Sequence, residues 1–119
     1  MTTLLRNIGF HWLCLMVLGL SSACFDGDGV GNNGGYVGGD CRDNGDCDEI
    51  CLRGGAFPGG TCSVECRDDG DCPSYTYCVE KEGGVCLLSC DRPSDCRDEY
   101  NCKGEKNKGR GGESLVCIK

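Results

Sequence analysis

The chain has 119 residues, 14 of them cysteine and 21 glycine, a formal net charge of −7 and a single histidine. An acidic balance of that size makes nucleic acid and anionic membrane surfaces poor partners. The lone His11 lies in an amino-terminal apolar run, so the rest of the protein cannot assemble a Ser/His/Asp or Cys/His arrangement. Carboxylate pairs are available in any acidic chain, but a body this small offers little prospect of a cleft that shifts a pKa. No catalytic residue, cofactor or metal is assigned, and the chain is read as a non-enzyme.

Residues 1–23 read as a signal peptide. Arg6 supplies the positive charge, Ile8 to Leu20 is apolar apart from His11 and two glycines, and Ser21, Ser22 and Ala23 are small residues suited to cleavage. The run of 13 residues is shorter than the roughly 20 that a membrane span needs. Removing it takes away Arg6, one positive charge, and moves the net charge from −7 to −8. The stretch Leu20-Ser-Ser-Ala-Cys24 resembles the lipobox of bacterial lipoproteins, which implies acylation of Cys24 and a lipid anchor to a membrane. Three positions before that cysteine stands Ser21, with Leu20 one further back. Ser21 and Ala23 also suit an ordinary signal peptidase, which would release a secreted protein. Loss of Cys14 with the signal and lipidation of Cys24 leaves an even twelve cysteines.

Residues 24–40 read as a flexible linker, because Phe25 to Asp40 holds seven glycines and no repeat cysteine. Asp26, Asp28 and Gly31 match the opening of a calcium loop. Val30 occupies its fifth position and Val37 its twelfth, where a bidentate Glu is required, so the segment is taken as a solvated acidic linker.

From Cys41 onward one four-cysteine unit occurs three times. The spacings are C-x5-C-x3-C-x10-C, then C-x5-C-x5-C-x7-C, then C-x5-C-x5-C-x14-C, giving repeats at 41–65, 66–89 and 90–119. Large apolar side chains are scattered thinly; divided among three units they come to four or five apiece. A buried apolar side chain contributes roughly 1.5–3 kcal/mol, against about 1–2 kcal/mol of backbone entropy for each residue ordered. Cross-links of about 2–4 kcal/mol each therefore have to hold the fold. The cysteines Cys41, Cys47, Cys51, Cys62, Cys66, Cys72, Cys78, Cys86, Cys90, Cys96, Cys102 and Cys117 are read as six disulfides, which places the protein in an oxidising compartment. Zinc would want C-x2-C knuckles or histidine, and only C-x3-C pairs occur. Three pairings are open to each unit if bonds stay within it. The expectation carried forward is first to third and second to fourth.

Each unit has an aspartate just before its second cysteine: Asp46, Asp71 and Asp95. The expected role is an Asx-type turn, with the carboxylate accepting backbone N–H groups two residues on. A strand pair is expected around Thr76–Val79 and Gly84–Leu87 across a Glu80–Gly83 turn. A second pair is expected near Asn101–Cys102 and Leu115–Cys117, across a long loop. Helix should be minor. Tyr75, Tyr77 and Tyr100 are expected to cover disulfides. The loop Leu52–Thr61 carries Arg53, a candidate inhibitory side chain, but four glycines make it soft and Pro58 follows Phe57. Lys106, Lys108 and Arg110 form the one basic cluster in the repeats, expected to be a solvated loop.

The segments Ser94-Asp95-Cys96-x5-Cys102 and Asp71-Cys72-Pro73-Ser-Tyr75-Thr-Tyr77-Cys78-Val79 resemble the cores of Dickkopf amino-terminal and four-disulfide-core (WAP) modules. They also resemble repeats of cysteine-rich bacterial lipoproteins. The adjacent Cys-Cys pair of the WAP pattern is missing. What the resemblance implies is a small disulfide-rich fold of three tandem modules with short β-hairpins, in an exported and lipid-anchored cell-envelope protein. Its role would be structural, or binding to a protein or polysaccharide partner. The alternative is a secreted protease inhibitor or ligand-like module.

Overall fold

The computed structural model describes residues 29–119, and within them the three cysteine units form three copies of one small structure. Each copy opens with an arm that carries its first two cysteines on either side of a 3-10 turn, at Asn44–Asp46, Asp69–Asp71 and Pro93–Asp95. Each closes with an antiparallel hairpin. These are β1 (Ile50–Leu52) with β2 (Thr61–Ser63), β3 (Thr76–Val79) with β4 (Val85–Leu88), and β5 (Asn101–Lys106) with β6 (Glu113–Ile118). The described residues contain no α-helix. A small disulfide-rich fold of tandem modules with short hairpins is thus what the chain adopts.

The hairpins explain the cysteine spacing. The third and fourth cysteines of each unit are register partners across the ladder: Cys51 with Cys62, Cys78 with Cys86, and Cys102 with Cys117. Directly opposed residues send their side chains off the same face of a sheet. The facing cysteines do not bond each other. The bonds are Cys41–Cys51 and Cys47–Cys62, Cys66–Cys78 and Cys72–Cys86, Cys90–Cys102 and Cys96–Cys117. This is the first-to-third, second-to-fourth order expected, and no bond leaves its unit. Each arm is clamped at two points over the face of its own hairpin.

Successive modules are joined by a strand that belongs to both. β2 runs on into Val64 and Glu65, which pair with the return strand of the next hairpin: Cys86 N donates to Val64 O, Cys66 N donates to Gly84 O (both 3.0 Å), and Glu65 bridges Val85. β4 likewise runs on into Ser89, which bridges Val116, while Cys90 N donates to Leu115 O at 3.2 Å. Divisions at 65/66 and 89/90 therefore cut through backbone pairing. Lys119 N donates to Ala56 O at 3.1 Å, bringing the end of the third module back to the first.

This interlock changes how the apolar residues are used. They are pooled between units, not divided among them. Leu52 and Phe57 of the first module, Val79, Val85 and Leu87 of the second, and Val116 and Ile118 of the third form one buried cluster. The three modules are a single packed body with sulfur on its hairpin faces.

Three expectations are corrected. The stretch read as a flexible linker is folded from Gly29 onward. Gly38 N donates to Cys62 O and Cys62 N to Gly39 O, both at 2.8 Å, the place that Val64 takes in the second module. Val30 bridges Val37, whose side chain is fully buried beside Cys66, Cys78 and Cys86, and Asn32 Nδ2 donates to Asp95 O at 3.0 Å. Glycine content suggested freedom, but these glycines serve tight contacts. The second correction is to the last hairpin, which has six residues in each strand, so Lys103–Lys106 is strand rather than loop. The third is to the tyrosines: Tyr100 is buried beside Cys90 and Cys117, whereas Tyr75 is 82% exposed and Tyr77 37%. The signal peptide, Cys24, Asp26 and Asp28 lie outside the described residues.

Gly38 tests the folded status of the amino-terminal stretch. Its φ of +111° is unfavourable for an L side chain, and a Cβ there would collide with Gly31 O and lie 2.5 Å from Leu88 Cδ1. Gly38→Ala is expected to lower the unfolding free energy by about 1–3 kcal/mol in urea titrations with the disulfides intact. A linker free of the body would show no change.

Candidate binding surface

No catalytic constellation emerges from the described residues, and the sulfur atoms show why clustered cysteine is not a metal centre here. In each module three sulfurs lie within 4.8 Å of one another: those of Cys41, Cys47 and Cys62, of Cys66, Cys72 and Cys86, and of Cys90, Cys96 and Cys117. All are engaged in disulfides. A metal needs thiolates, which these half-cystines do not offer.

The aspartates before the second cysteines do act on turn backbone, but in the direction opposite to that expected. Asp46, Asp71 and Asp95 reach back four residues and accept from Arg42 N (2.8 Å), Arg67 N (2.9 Å) and Asp91 N (2.9 Å); Asp95 also accepts from Arg92 N at 3.2 Å. The forward Asx bond comes from other residues, Asp43 to Gly45 N and Asp68 to Gly70 N. A further bond ties arm to hairpin: Asn44 Oδ1 accepts from Cys51 N at 2.9 Å and Asp69 Oδ1 from Cys78 N at 2.8 Å. Its sequence signal is the Asn or Asp three residues after the first cysteine, where the third module has Pro93.

The basic cluster is docked on the second module. Arg110 Nε donates to Asp69 Oδ2 at 2.6 Å, its guanidinium lies 5.6 Å from the centre of the Tyr77 ring, and its Nη2 donates to Ser114 Oγ at 2.9 Å. Ser114 Oγ in turn donates to Oδ1 of buried Asn107 at 2.6 Å. Lys106 pairs with Glu80 at 3.6 Å, and Lys108 Nζ donates to Gly83 O. The solvated-loop expectation failed because these cations find carbonyls and carboxylates on a neighbouring unit, which spacing alone does not reveal.

A second intermodule contact involves Arg97 of the third module, which was not singled out from sequence. Its Nη2 donates to Gly60 O (2.5 Å), Thr61 Oγ1 (2.8 Å) and Tyr100 Oη (3.0 Å), with the guanidinium 4.6 Å from the Tyr100 ring centre. Tyr100 Oη donates to Pro58 O at 2.9 Å. Burial pushes the Tyr100 phenol above its ordinary pKa, with Thr61 and Arg97 opposing. In the loop considered for inhibition, Arg53 Nη1 is turned onto Arg42 O at 3.0 Å and Phe57 is buried in the common core.

Two notches occupy equivalent places in modules one and two. The first is bounded by Asp40, Cys41, Arg42, Asp46, Gly59 and Gly60, and the second by Glu65, Cys66, Arg67, Asp71, Gly83 and Gly84. Position by position these match: acid, first cysteine, arginine, aspartate and a glycine pair. The second glycine of each pair is required by close approach, since a Cβ at Gly60 would strike Cys41 O and one at Gly84 would strike Cys66 O. The notches enclose about 750 Å³ and 450 Å³ respectively. The second is narrowed by Lys108 of the third module, and Gly109 lies against Arg67 O and Asp68. In module three the glycine pair is replaced by Ser114 and Leu115.

The reach-back bonds imply a defined pH response. N–H donation from Arg67, followed by the Arg67 side chain, lowers the Asp71 pKa below 3.8, and the Asp91 and Arg92 amides do the same for Asp95. A depressed carboxyl pKa stabilises the fold above the unfolded-state value near 3.9, and the contribution is lost as pH falls through the lower folded value. Amide resonances of Arg67, Asp91 and Arg92 should therefore stay constant through pH 5 and shift with midpoints below 3.8; midpoints at or above it would contradict the geometry. Comparison with protein-family models, curated proteins and solved structures returned no match.

Proposed function

We propose that this is an exported, lipid-anchored cell-envelope protein whose disulfide-bonded body serves a non-catalytic role in binding or structure. The observation that carries the reading is the pairing of twelve cysteines into six disulfides. Bonds in that number are kept in an oxidising compartment and not in a reducing cytosol. No helix among the described residues is long and apolar enough to cross a membrane, so attachment there would rest on another device. The lipobox-like Leu20–Cys24 supplies one, with acylated Cys24 as the first residue of the mature chain.

The folded start at Gly29 gives this anchor a physical consequence. Only four residues separate it from Cys24. At about 3.5 Å per residue the tether reaches at most about 18 Å. Lipidation would hold the body close to the bilayer surface instead of on a long stalk. The partner surface would then be one that approaches the membrane, on a protein or an envelope polysaccharide; the acidic body makes nucleic acid a poor candidate.

Intact mass of the protein recovered from its native envelope tests both halves of the proposal. The expected species begins at Cys24, carries acyl chains, and takes up twelve alkyl groups only after reduction. A mature chain of unmodified mass released into the medium would favour the secreted alternative. Alkylation without reductant would remove the oxidised compartment from the reading.

A further inference from the structure

Each module holds its two disulfides close together. In module three the sulfurs of Cys90, Cys96 and Cys117 lie within 4.8 Å of one another, although Cys90 is bonded to Cys102 and Cys96 to Cys117. The two cysteines of the hairpin are also positioned for each other. Cys90 N donates to Leu115 O, so the Leu115 carbonyl points away from β5, and the backbone of Cys117, two residues on, is oriented likewise. Cys102 and Cys117 are therefore a non-hydrogen-bonded register pair. In such pairs the Cα atoms are about 4.5 Å apart, within the span that a disulfide bridges. The four sulfurs thus admit a second pairing, Cys90–Cys96 along the arm and Cys102–Cys117 across the hairpin.

Module three is the unit in which least opposes that second pairing. Its ladder has six residue pairs, against three and four in the other two, so Cys102 and Cys117 stay opposed without the arm. The arms of modules one and two are tied to their hairpins by Asn44 on Cys51 N and Asp69 on Cys78 N, whereas Pro93 offers no side-chain acceptor in the third. Cys102 is partly exposed, and its counterpart in module two, Cys78, is fully buried.

We infer that the disulfides of module three are a thiol-exchange site, which a small thiol switches between these two pairings. The incoming thiolate attacks Cys102 Sγ and breaks Cys90–Cys102, leaving a mixed disulfide on Cys102 and a thiolate on Cys90. Cys90 attacks Cys96, forming Cys90–Cys96 and expelling Cys117 as a thiolate. Cys117 then attacks its facing partner Cys102, closes Cys102–Cys117 and returns the small thiolate. Two protein disulfides are present before and after, so the thiol is a catalyst and no oxidant is consumed. The product detaches residues 91–95 from the hairpin, and with them the Asp95 carbonyl that Asn32 Nδ2 holds.

The test incubates the full folded protein with millimolar reduced glutathione, quenches in acid, alkylates, and cleaves on the amino side of aspartate. Cuts at Asp91, Asp95 and Asp98 put Cys90, Cys96, and Cys102 with Cys117 on three separate peptides. The native pairing keeps the three joined, and so does Cys90–Cys117 with Cys96–Cys102. Only the proposed isomer frees residues 98–119 as a peptide with an internal disulfide. That peptide is expected with the thiol and not without it, accompanied by a shift of the Asn32 side-chain amide while the Val79 and Val116 amides keep their native positions. Pro93→Asn, which supplies the missing tie, should lower its yield about tenfold, the effect of one hydrogen bond that the isomer must break. The inference is overturned if residues 98–119 stay joined to the other two peptides, if the module is simply reduced, or if Pro93→Asn leaves the yield unchanged. It is also overturned if the free peptide appears only as the core amides are lost, which marks scrambling of an unfolded chain.

Discussion

The third and fourth cysteines of every module face each other across a ladder and yet bond elsewhere, and the whole fold follows from that arrangement. A bond between directly opposed cysteines would only reinforce a hairpin already held by its hydrogen bonds. Sending both to the arm closes loops of 10 to 21 residues, a length at which one cross-link contributes about 3 kcal/mol by restricting the unfolded chain. It also fixes the arm over the sheet face. The 3-10 turn in each arm lets two cysteines reach two adjacent partners, and the aspartates that reach back four residues hold that turn in shape. Sulfur and carboxylate thus act on the same six-residue step.

Sulfur fixes each module internally, while backbone pairing and a shared core fix the modules to one another. Because β2 and β4 each continue into a segment that pairs with the next hairpin, no module has a free boundary. Seven side chains from all three units meet in one cluster, where each fully buried group contributes roughly 1.5–3 kcal/mol. Split among independent units, the same residues would leave only two or three per core. The packing energy therefore depends on the interlock, and the interlock on hairpins that the disulfides keep in register.

What was legible in the sequence was what recurs locally. The cysteine spacing announced three units, and Thr76–Val79 and Gly84–Leu87 carried enough strand preference to be read as a pair, which the structure forms at Thr76–Val79 and Val85–Leu88. The reading failed where a residue's partner lies in another module. Arg97 and Tyr100 meet Thr61 and Gly60 from more than thirty residues away, and Arg110 meets Asp69 at a separation of 41. Nothing in a loop of lysine and glycine reports a carboxylate that far along the chain. The amino-terminal glycines misled for a related reason. Seven glycines describe a flexible coil when considered alone, but Gly39 O accepts from Cys62 N as Val64 O accepts from Cys86 N in module two, a pairing that glycine content does not report.

The repeats also diverge in a way that assigns them different tasks. The glycine pair two and three residues before the fourth cysteine is kept in modules one and two and replaced by Ser114 and Leu115 in module three. Only the units with glycine have a bare floor, and only the unit without it has a loop that projects basic side chains onto its neighbour. Module three is built to donate and module two to receive. Their contact engages Lys108, Arg110 and Asp69 within the body, and module one receives Arg97 of module three at Gly60 O. In each of the first two modules one carbonyl of the glycine pair takes a cation from module three and the other takes the amide of that module's own first cysteine: Gly60 O accepts from Arg97 and Gly59 O from Cys41 N, as Gly83 O accepts from Lys108 and Gly84 O from Cys66 N.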